Sequence, residues 1–126
     1  MFIAKLDANG NYLWAKSAGE SSLDFGFSIA VDNQGNSYVT GRFRGSVAFG
    51  STTLATYGSL QIFITKLDTN GNFLWAKQAG DWNGNATGCS IAVDNQEMSL
   101  CQDIFHSSQH LEVRPLQAII VMMIFS

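Results

Sequence analysis

Charged residues are scarce in this chain: they make up 13% of its 126 residues, whereas hydrophobic residues make up 46%. So many apolar and so few charged residues are not typical of a disordered protein. The formal net charge is −3, with no excess of lysine and arginine. Surfaces that bind nucleic acid or anionic membranes need a basic patch. The composition therefore argues against both kinds of partner.

Proline, cysteine and long apolar runs are scarce as well. There is one proline, and the two cysteines, Cys89 and Cys101, are too few for a disulfide framework. The longest apolar run, AIIVMMIF at 118–125, has eight residues, whereas a membrane-spanning helix needs about 20. Lys5 and Asp7 interrupt the first apolar residues, so no signal peptide is expected.

The sequence does contain an internal repeat of about 61 residues. Residues 2–19 and 63–80 match at 14 of 18 positions, and SIAVDNQ occurs at 28–34 and again at 90–96. A period of this length lies near the upper end of β-propeller blades. The repeat divides the first 96 residues into a partial unit at 1–27, a full unit at 28–89 and the start of a third unit at 90–96.

Each unit is predicted to be built from β-hairpins. Two apolar segments rich in β-branched and aromatic residues, 61–68 and 72–79, flank Asn70 and Gly71. Asn-Gly between apolar runs is typical of a hairpin turn, because both residues tolerate a positive φ. The turn residues predicted in the chain are Asn9, Gly10, Gly35, Asn70 and Gly71.

Gly35 belongs to a second predicted hairpin, from 27–32 to 36–43. The segment 47–57 is predicted to be one further strand or an extended loop with a bend at Gly50. No long window shows a helical period free of glycine or asparagine breaks. The fold class predicted is all-β, with two hairpins and a connecting segment in each unit.

Both faces of the predicted strands are apolar or small. Ile62 and Ile64 alternate with Phe63 and Leu67, and the strand 27–32 alternates in the same way. A half-solvated sheet would carry polar residues on one face. Each sheet is therefore expected to have a neighbour on both sides, as in a β-propeller.

The runs IAVDNQGNSYVTG, FGSTTL, IFITKLDTNGN and LWAKQAGD resemble the bacterial SBBP (seven-bladed β-propeller) repeat family over residues 1–96. The resemblance implies antiparallel propeller blades, here about one full blade plus partial blades. It also implies an array in a secreted or cell-surface protein, and no shared catalytic residues. The blades of a closed propeller number typically 4–8, so the expected propeller is incomplete.

The repeat pattern stops after Gln96. Residues 97–126 contain no glycine, but they hold three of the four methionines, both histidines and the only proline. If one base was lost near the codon of Gln96, restoring it permits glycine, FGST and TLA positions in register with the first unit. Residues 97–126 are therefore predicted to be an out-of-frame tail without a native fold.

Two groups of residues could hold a metal, and both have a simpler interpretation. The turns that begin at Asp7 and Asp68 resemble a calcium loop, but they lack its glycine and glutamate positions, so hydrogen-bonded hairpin turns are favoured. Among Cys101, His106 and His110, the histidine pair has the spacing of a zinc finger, but there is no second cysteine at ligand spacing. No metal and no cofactor is predicted.

The tryptophans are the remaining candidates. Trp14 and Trp75 occupy equivalent positions of the repeat and are predicted, together with Phe63 and Leu67, to be blade-packing residues. A pocket for a sugar or a quinone is the alternative. Trp82 lies in the variable link and is a candidate loop contact.

Three functions remain open. The chain is predicted to be a structural or interaction module from a larger secreted or cell-surface protein, without catalytic activity. The alternatives are a fragment of a quinoprotein-type propeller enzyme and a non-functional relic reading frame. Partners are unknown; other propeller blades or another copy of the chain are candidates.

Overall fold

A computed structural model of the chain describes residues 1–19, 24–79, 86–94, 99–105 and 119–125. These residues form eleven strands, and no helix occurs among them. The strands are β1 Phe2–Leu6, β2 Tyr12–Ser17, β3 Phe25–Val31, β4 Ser37–Phe43, β5 Ser46–Phe49, β6 Thr52–Ala55, β7 Gln61–Leu67, β8 Phe73–Ala79, β9 Ala86–Val93, β10 Ser99–Phe105 and β11 Ile119–Phe125.

The largest sheet has four antiparallel strands in the order β3-β4-β7-β8, and we call it the central sheet. It consists of two hairpins, β3–β4 and β7–β8, joined edge to edge by the pairing of β4 with β7. The prediction of an all-β chain with two hairpins in a repeat unit is confirmed. No closed propeller is formed by the part of the chain that the structure describes.

The connection between these hairpins differs from the prediction. The segment predicted to be one strand or an extended loop contains a hairpin of its own, β5–β6, with Phe49 paired with Thr52. Gly50 does not bend one strand but reverses the chain, at a φ of 60°. The hairpin turns Val47, Phe49 and Leu54 into the core, and this burial stabilises the reversal.

The central sheet has two buried faces, as the alternation predicts. We call the face that carries Val39, Phe43, Phe63 and Leu67 the front face. The opposite face carries Tyr38, Ile62 and Ile64 and is called the rear face. The rings of Phe49 and Phe63 pack on the front side with centroids 4.8 Å apart.

Each face of the central sheet is covered by strands from an adjacent repeat unit. On the front face, Ile3 of β1 and Ala18 after β2 join the buried cluster. On the rear face, Ile91 of β9 is buried against Tyr38, Ile62 and Ile64. The expectation that these sheets need a neighbour on both sides is thus met by β1–β2 and by β9.

Two strands lie within residues 97–126, where no native fold was predicted. β10 pairs antiparallel with β9, and the pair Ser99–Val93 repeats the pair Ser37–Val31 of β4 and β3. β11 then pairs with β10 in parallel. Backbone hydrogen bonds depend little on side-chain identity, so this pairing does not require the repeat sequence. The reading-frame shift itself stays a prediction, as do the unit boundaries.

Candidate functional site

Three hairpin turns share the pattern Asp-x-x-Gly-Asn and the same geometry. In the turn at 32–36, Oδ1 of Asp32 accepts the backbone N–H groups of Gln34 at 3.0 Å and Asn36 at 2.9 Å. Its Oδ2 accepts the Asn36 side-chain amide at 2.9 Å. The turns at 7–11 and 68–72 repeat these bonds, with donors 2.8–3.0 Å from Asp7 and 2.9 Å from Asp68. Each carboxylate therefore holds its own turn closed.

The glycines of these turns have left-handed backbones. Gly10, Gly35 and Gly71 have φ values of 85°, 84° and 82°. Asn9 and Asn70 precede two of them, and their N–H groups donate to Asp7 and Asp68. A side chain at the glycine position would be strained, because L residues rarely adopt this conformation.

The turns lower the pKa values of their carboxyl groups. For Asp7 and Asp68, the main cause is the hydrogen bond from the side-chain amide of Asn11 or Asn72, followed by the backbone N–H of the same residue. For Asp32, burial raises the pKa, but the hydrogen bonds from Asn36 and Gln34 and the charge of Lys66 outweigh it. All three groups are therefore held in the carboxylate form.

The carboxylates of these turns are engaged by donors of the turns themselves. Both oxygens of each carboxylate accept donors from within the turn. No group of three His, Cys, Asp or Glu residues in the described ranges could hold a metal ion. Of the zinc candidates, His106 and His110 lie outside the described residues, and Cys101 is described only as part of β10.

Sequence reasoning missed the role of Asp32. The turn at 32–36 was predicted from Gly35 alone, although Asp32 lies in the buried end of the hairpin and its Oδ2 accepts the Tyr38 hydroxyl at 3.3 Å. The signal was present, because the spacing of Asp, Gly and Asn is the same in all three turns.

Trp14 forms the best-defined contact between two repeat units. Its indole N–H donates to the backbone carbonyl of Thr69 at 3.0 Å. The indole ring lies over Gly71, so close that a Cβ at this glycine would be 2.7 Å from the ring. A large aromatic side chain of the β1–β2 hairpin is therefore seated on the β7–β8 turn of the next unit.

Trp75, at the equivalent position of the next unit, lies on the rear face. Its ring packs edge-on against Tyr38, with centroids 6.2 Å apart, and the ammonium of Lys66 lies 5.0 Å from the centre of the Tyr38 ring. Phe63 and Leu67, the other predicted packing residues, are fully buried in the front cluster. Trp82 lies outside the described residues.

Gly41 is a second position that sequence reasoning missed. It lies in the middle of β4, and a Cβ there would be 1.9 Å from the Phe25 carbonyl oxygen and 2.7 Å from the Phe63 ring. The missing side chain lets Phe63 pack onto the backbone of β4. A glycine inside a strand pattern was the available signal.

The described residues contain no helix that is long and apolar enough to cross a membrane. Apolar surface is instead exposed on β3, where Phe27, Ile29 and Val31 are 41%, 52% and 61% accessible. Ile29 belongs to the front side because it pairs with Val39, and Val31 follows two residues later. Phe27 lies at the bulge of β3, and its ring centre is 5.3 Å from the Arg42 guanidinium carbon.

Comparison with known proteins identifies the repeat. Residues 17–42, which include β3 and most of β4, match the SBBP family, a β-propeller repeat. The chain is also 29% identical over 114 residues to an uncharacterized WD repeat-containing protein, L264, of Acanthamoeba polyphaga mimivirus. This similarity covers 85% of the chain but 8% of the relative, so the chain spans less than a tenth of that protein's length.

Proposed function

We propose that this chain, which carries an SBBP β-propeller repeat, has a structural function. It packs one repeat unit on the next and presents a surface for interaction. No catalytic activity of its own is part of this proposal. The parent polypeptide is proposed to be a larger secreted or cell-surface protein, in line with the family that the sequence resembles. The relative with WD repeats is viral, so a bacterial origin rests on the resemblance alone.

The contact of Trp14 with the turn at 68–72 is the observation that supports this function. The side chains that recur in the repeat join one unit to the next: Trp14 meets Gly71 and Thr69, and Ile91 enters the rear cluster. The recurring aspartates close turns. Repeated residues used in this way are typical of proteins that stack structural repeats.

The first experiment separates a folded module from a relic and from an enzyme fragment. The purified 126-residue chain is unfolded in urea while its circular dichroism and tryptophan fluorescence are recorded. A module gives one cooperative transition by both probes, and an unfolded chain contradicts the proposal. Saturable binding of a pyrroloquinoline quinone, followed by tryptophan quenching, would favour the quinoprotein alternative instead.

The location is tested on the source cells with an antibody against the chain. Protease added to intact cells should digest the parent polypeptide, whereas a cytoplasmic marker protein should stay intact. Protection of both proteins would contradict a secreted or cell-surface location.

A shifted reading frame after Gln96 also remains a proposal. Its support is the loss of glycine after that residue and the compatible codons of residues 97–126. The test is the nucleotide sequence from the codon of Asp94 to beyond Ser126. Restoring one base should give the glycine-rich pattern and further repeat units, and codons that exclude those residues would overturn the proposal.

A further inference from the structure

Each half of the Trp14 contact, the tryptophan and the turn, occurs a second time in the repeat, and neither second copy has its partner among the described residues. Gly10 is equivalent to Gly71, but it is exposed, and a Cβ at Gly10 would meet nothing within 4 Å. Trp75 is equivalent to Trp14, and its indole N–H has no acceptor among the described residues. Among the described residues, the turn at 7–11 thus has no tryptophan on it, and Trp75 lies on no turn.

Two equivalent isoleucines of the repeat, Ile91 and Ile29, differ in the same way: one is buried by a neighbouring unit and the other is exposed. Ile91 is 6% accessible in the rear cluster, whereas Ile29, its equivalent in the repeat, is 52% accessible. Ile29 lines a groove of about 320 Å³, which runs between β1 and β3 and whose walls include Phe2, Ile3, Phe27 and Val39. The groove follows the edge of β1 that is not paired with β2.

We propose, building on the packing function above, that a second copy of this chain docks head to tail on this surface. Trp75 of one copy sits on the turn at 7–11 of the next copy, its indole N–H donating to the Ala8 carbonyl. The hairpin β9–β10 of the first copy lies in the groove beside β1 of the second. The contact is the one that the chain already makes between its own units, so no new complementarity is required.

The strand pairing in this assembly follows the central sheet. β9–β10 corresponds to β3–β4 and shares its register from the pair Ser99–Val93 to the pair Gln102–Ser90, and β1–β2 corresponds to β7–β8. Pairing β10 of one copy with β1 of the next therefore gives a four-stranded sheet of the order β9-β10-β1-β2. In the single chain, β11 occupies that edge of β10 in parallel. Antiparallel pairing is slightly more stable per residue than parallel pairing. For this reason β1 of the second copy replaces β11 at the edge of β10.

Gly10→Asn tests the contact, with Gly58→Asn as its matched control. Both glycines have a positive φ, 85° and 97°, and both have open space around the missing Cβ. Asparagine tolerates this backbone better than other L residues, so the two variants carry the same local strain. Only Gly10→Asn places a side chain where the indole of the second copy would lie.

Sedimentation equilibrium of the full chain up to about 0.5 mM measures the association. The wild-type mass should rise with concentration above 13.7 kDa. Gly10→Asn should weaken the association about tenfold or more, and Gly58→Asn should leave it unchanged. A wild-type chain that stays monomeric overturns the proposal, and so does an equal effect of the two substitutions.

Two further measurements separate this docking from nonspecific association. Mixing Gly10→Asn with Trp75→Phe should restore heterodimers, because the first variant keeps the tryptophan and the second keeps the turn. The amide protons of Phe2–Leu6 should gain protection from exchange at high concentration. Absence of either effect excludes the head-to-tail arrangement. A chain that unfolds cooperatively but stays monomeric would leave the packing function standing and remove only the second copy.

Discussion

At the scale of single residues, the same residue type has different consequences at equivalent positions of the repeat. Gly10 and Gly71 share a turn geometry, but the ring of Trp14 covers only Gly71. The need for glycine at both positions could be predicted from the Asn-Gly pattern. The contact with Trp14 could not, because it joins residues 55 positions apart in sequence.

Gly71→Ala should destabilise the chain more than Gly10→Ala. Both variants carry the left-handed strain of an L residue, about 1–2 kcal/mol. Only Gly71→Ala also drives a methyl group into the Trp14 ring, 2.7 Å away, and overpacking of this kind costs about 1–3 kcal/mol more. Urea unfolding at low protein concentration measures both, and an equal loss would show that the indole does not rest on the turn.

The turn carboxylates make the free energy of unfolding depend on pH. Their folded-state pKa values lie below the ordinary value of an aspartate. Their contribution is therefore complete above the unfolded-state pKa and is lost as the pH falls through the lower, folded-state pKa. Stability should fall as the pH drops below about 4, as measured by urea unfolding across a pH series.

Asp32→Asn should reduce the free energy of unfolding at neutral pH by about 1–3 kcal/mol, because it removes a charged acceptor from four donors. The substitution should also make the free energy of unfolding depend less on pH in the acidic range. Asn33→Ala, which changes a neighbouring turn residue, is the control. If the free energy of unfolding of Asp32→Asn falls with acidic pH as steeply as that of the wild type, the role given to this carboxylate is contradicted.

At the scale of the elements, alternation in the sequence predicts the two faces of β7 correctly. Ile62 and Ile64 lie on the rear face, and Phe63 and Leu67 on the front. The β5–β6 hairpin was not predicted, because Gly50 and Ser51 form a weaker turn signal than Asn-Gly. Its two strands have four residues each, and the burial that holds them together is tertiary.

Gly41→Ala should destabilise the central sheet by about 3 kcal/mol. The added methyl group would overlap the Phe25 carbonyl oxygen and the Phe63 ring, and neither belongs to a flexible side-chain end. Gly26→Ala is the matched control, since Gly26 pairs with Gly41 and a Cβ there meets only the Met1 side chain, at 3.1 Å. Similar transition midpoints for the two variants would disprove the close approach.

At the scale of the whole molecule, the units cover one another unevenly. The residues described on the front face include strands of an earlier unit, and those on the rear face include β9 of a later one. The sequence predicts that such neighbours are needed, because both faces are apolar. It does not predict that β10 continues the register of β4, since residues 99–105 share only Ser99 and Phe105 with 37–43.

Ile91→Ala and Ile29→Ala measure whether β9 unfolds together with the central sheet. Ile91 is buried, so its truncation should cost about 2–4 kcal/mol. Ile29 is half exposed, and its truncation should cost less than about 0.5 kcal/mol in the dilute chain. If Ile91→Ala leaves the urea midpoint unchanged, β9 is not part of the cooperative unit.

The β5–β6 hairpin also explains the length of the repeat. Phe43 and Gln61 are directly paired, so a short link could join β4 to β7 and give a unit nearer the roughly 40–45 residues of a WD-type blade. The strand topology permits deletion of the β5–β6 hairpin. The deletion would lower the stability of the fold, because Val47, Phe49 and Leu54 would leave the front core. The hairpin therefore fills space in the front core. Copies of this repeat that lack the hairpin would be selected against in any array that needs a fully packed front face.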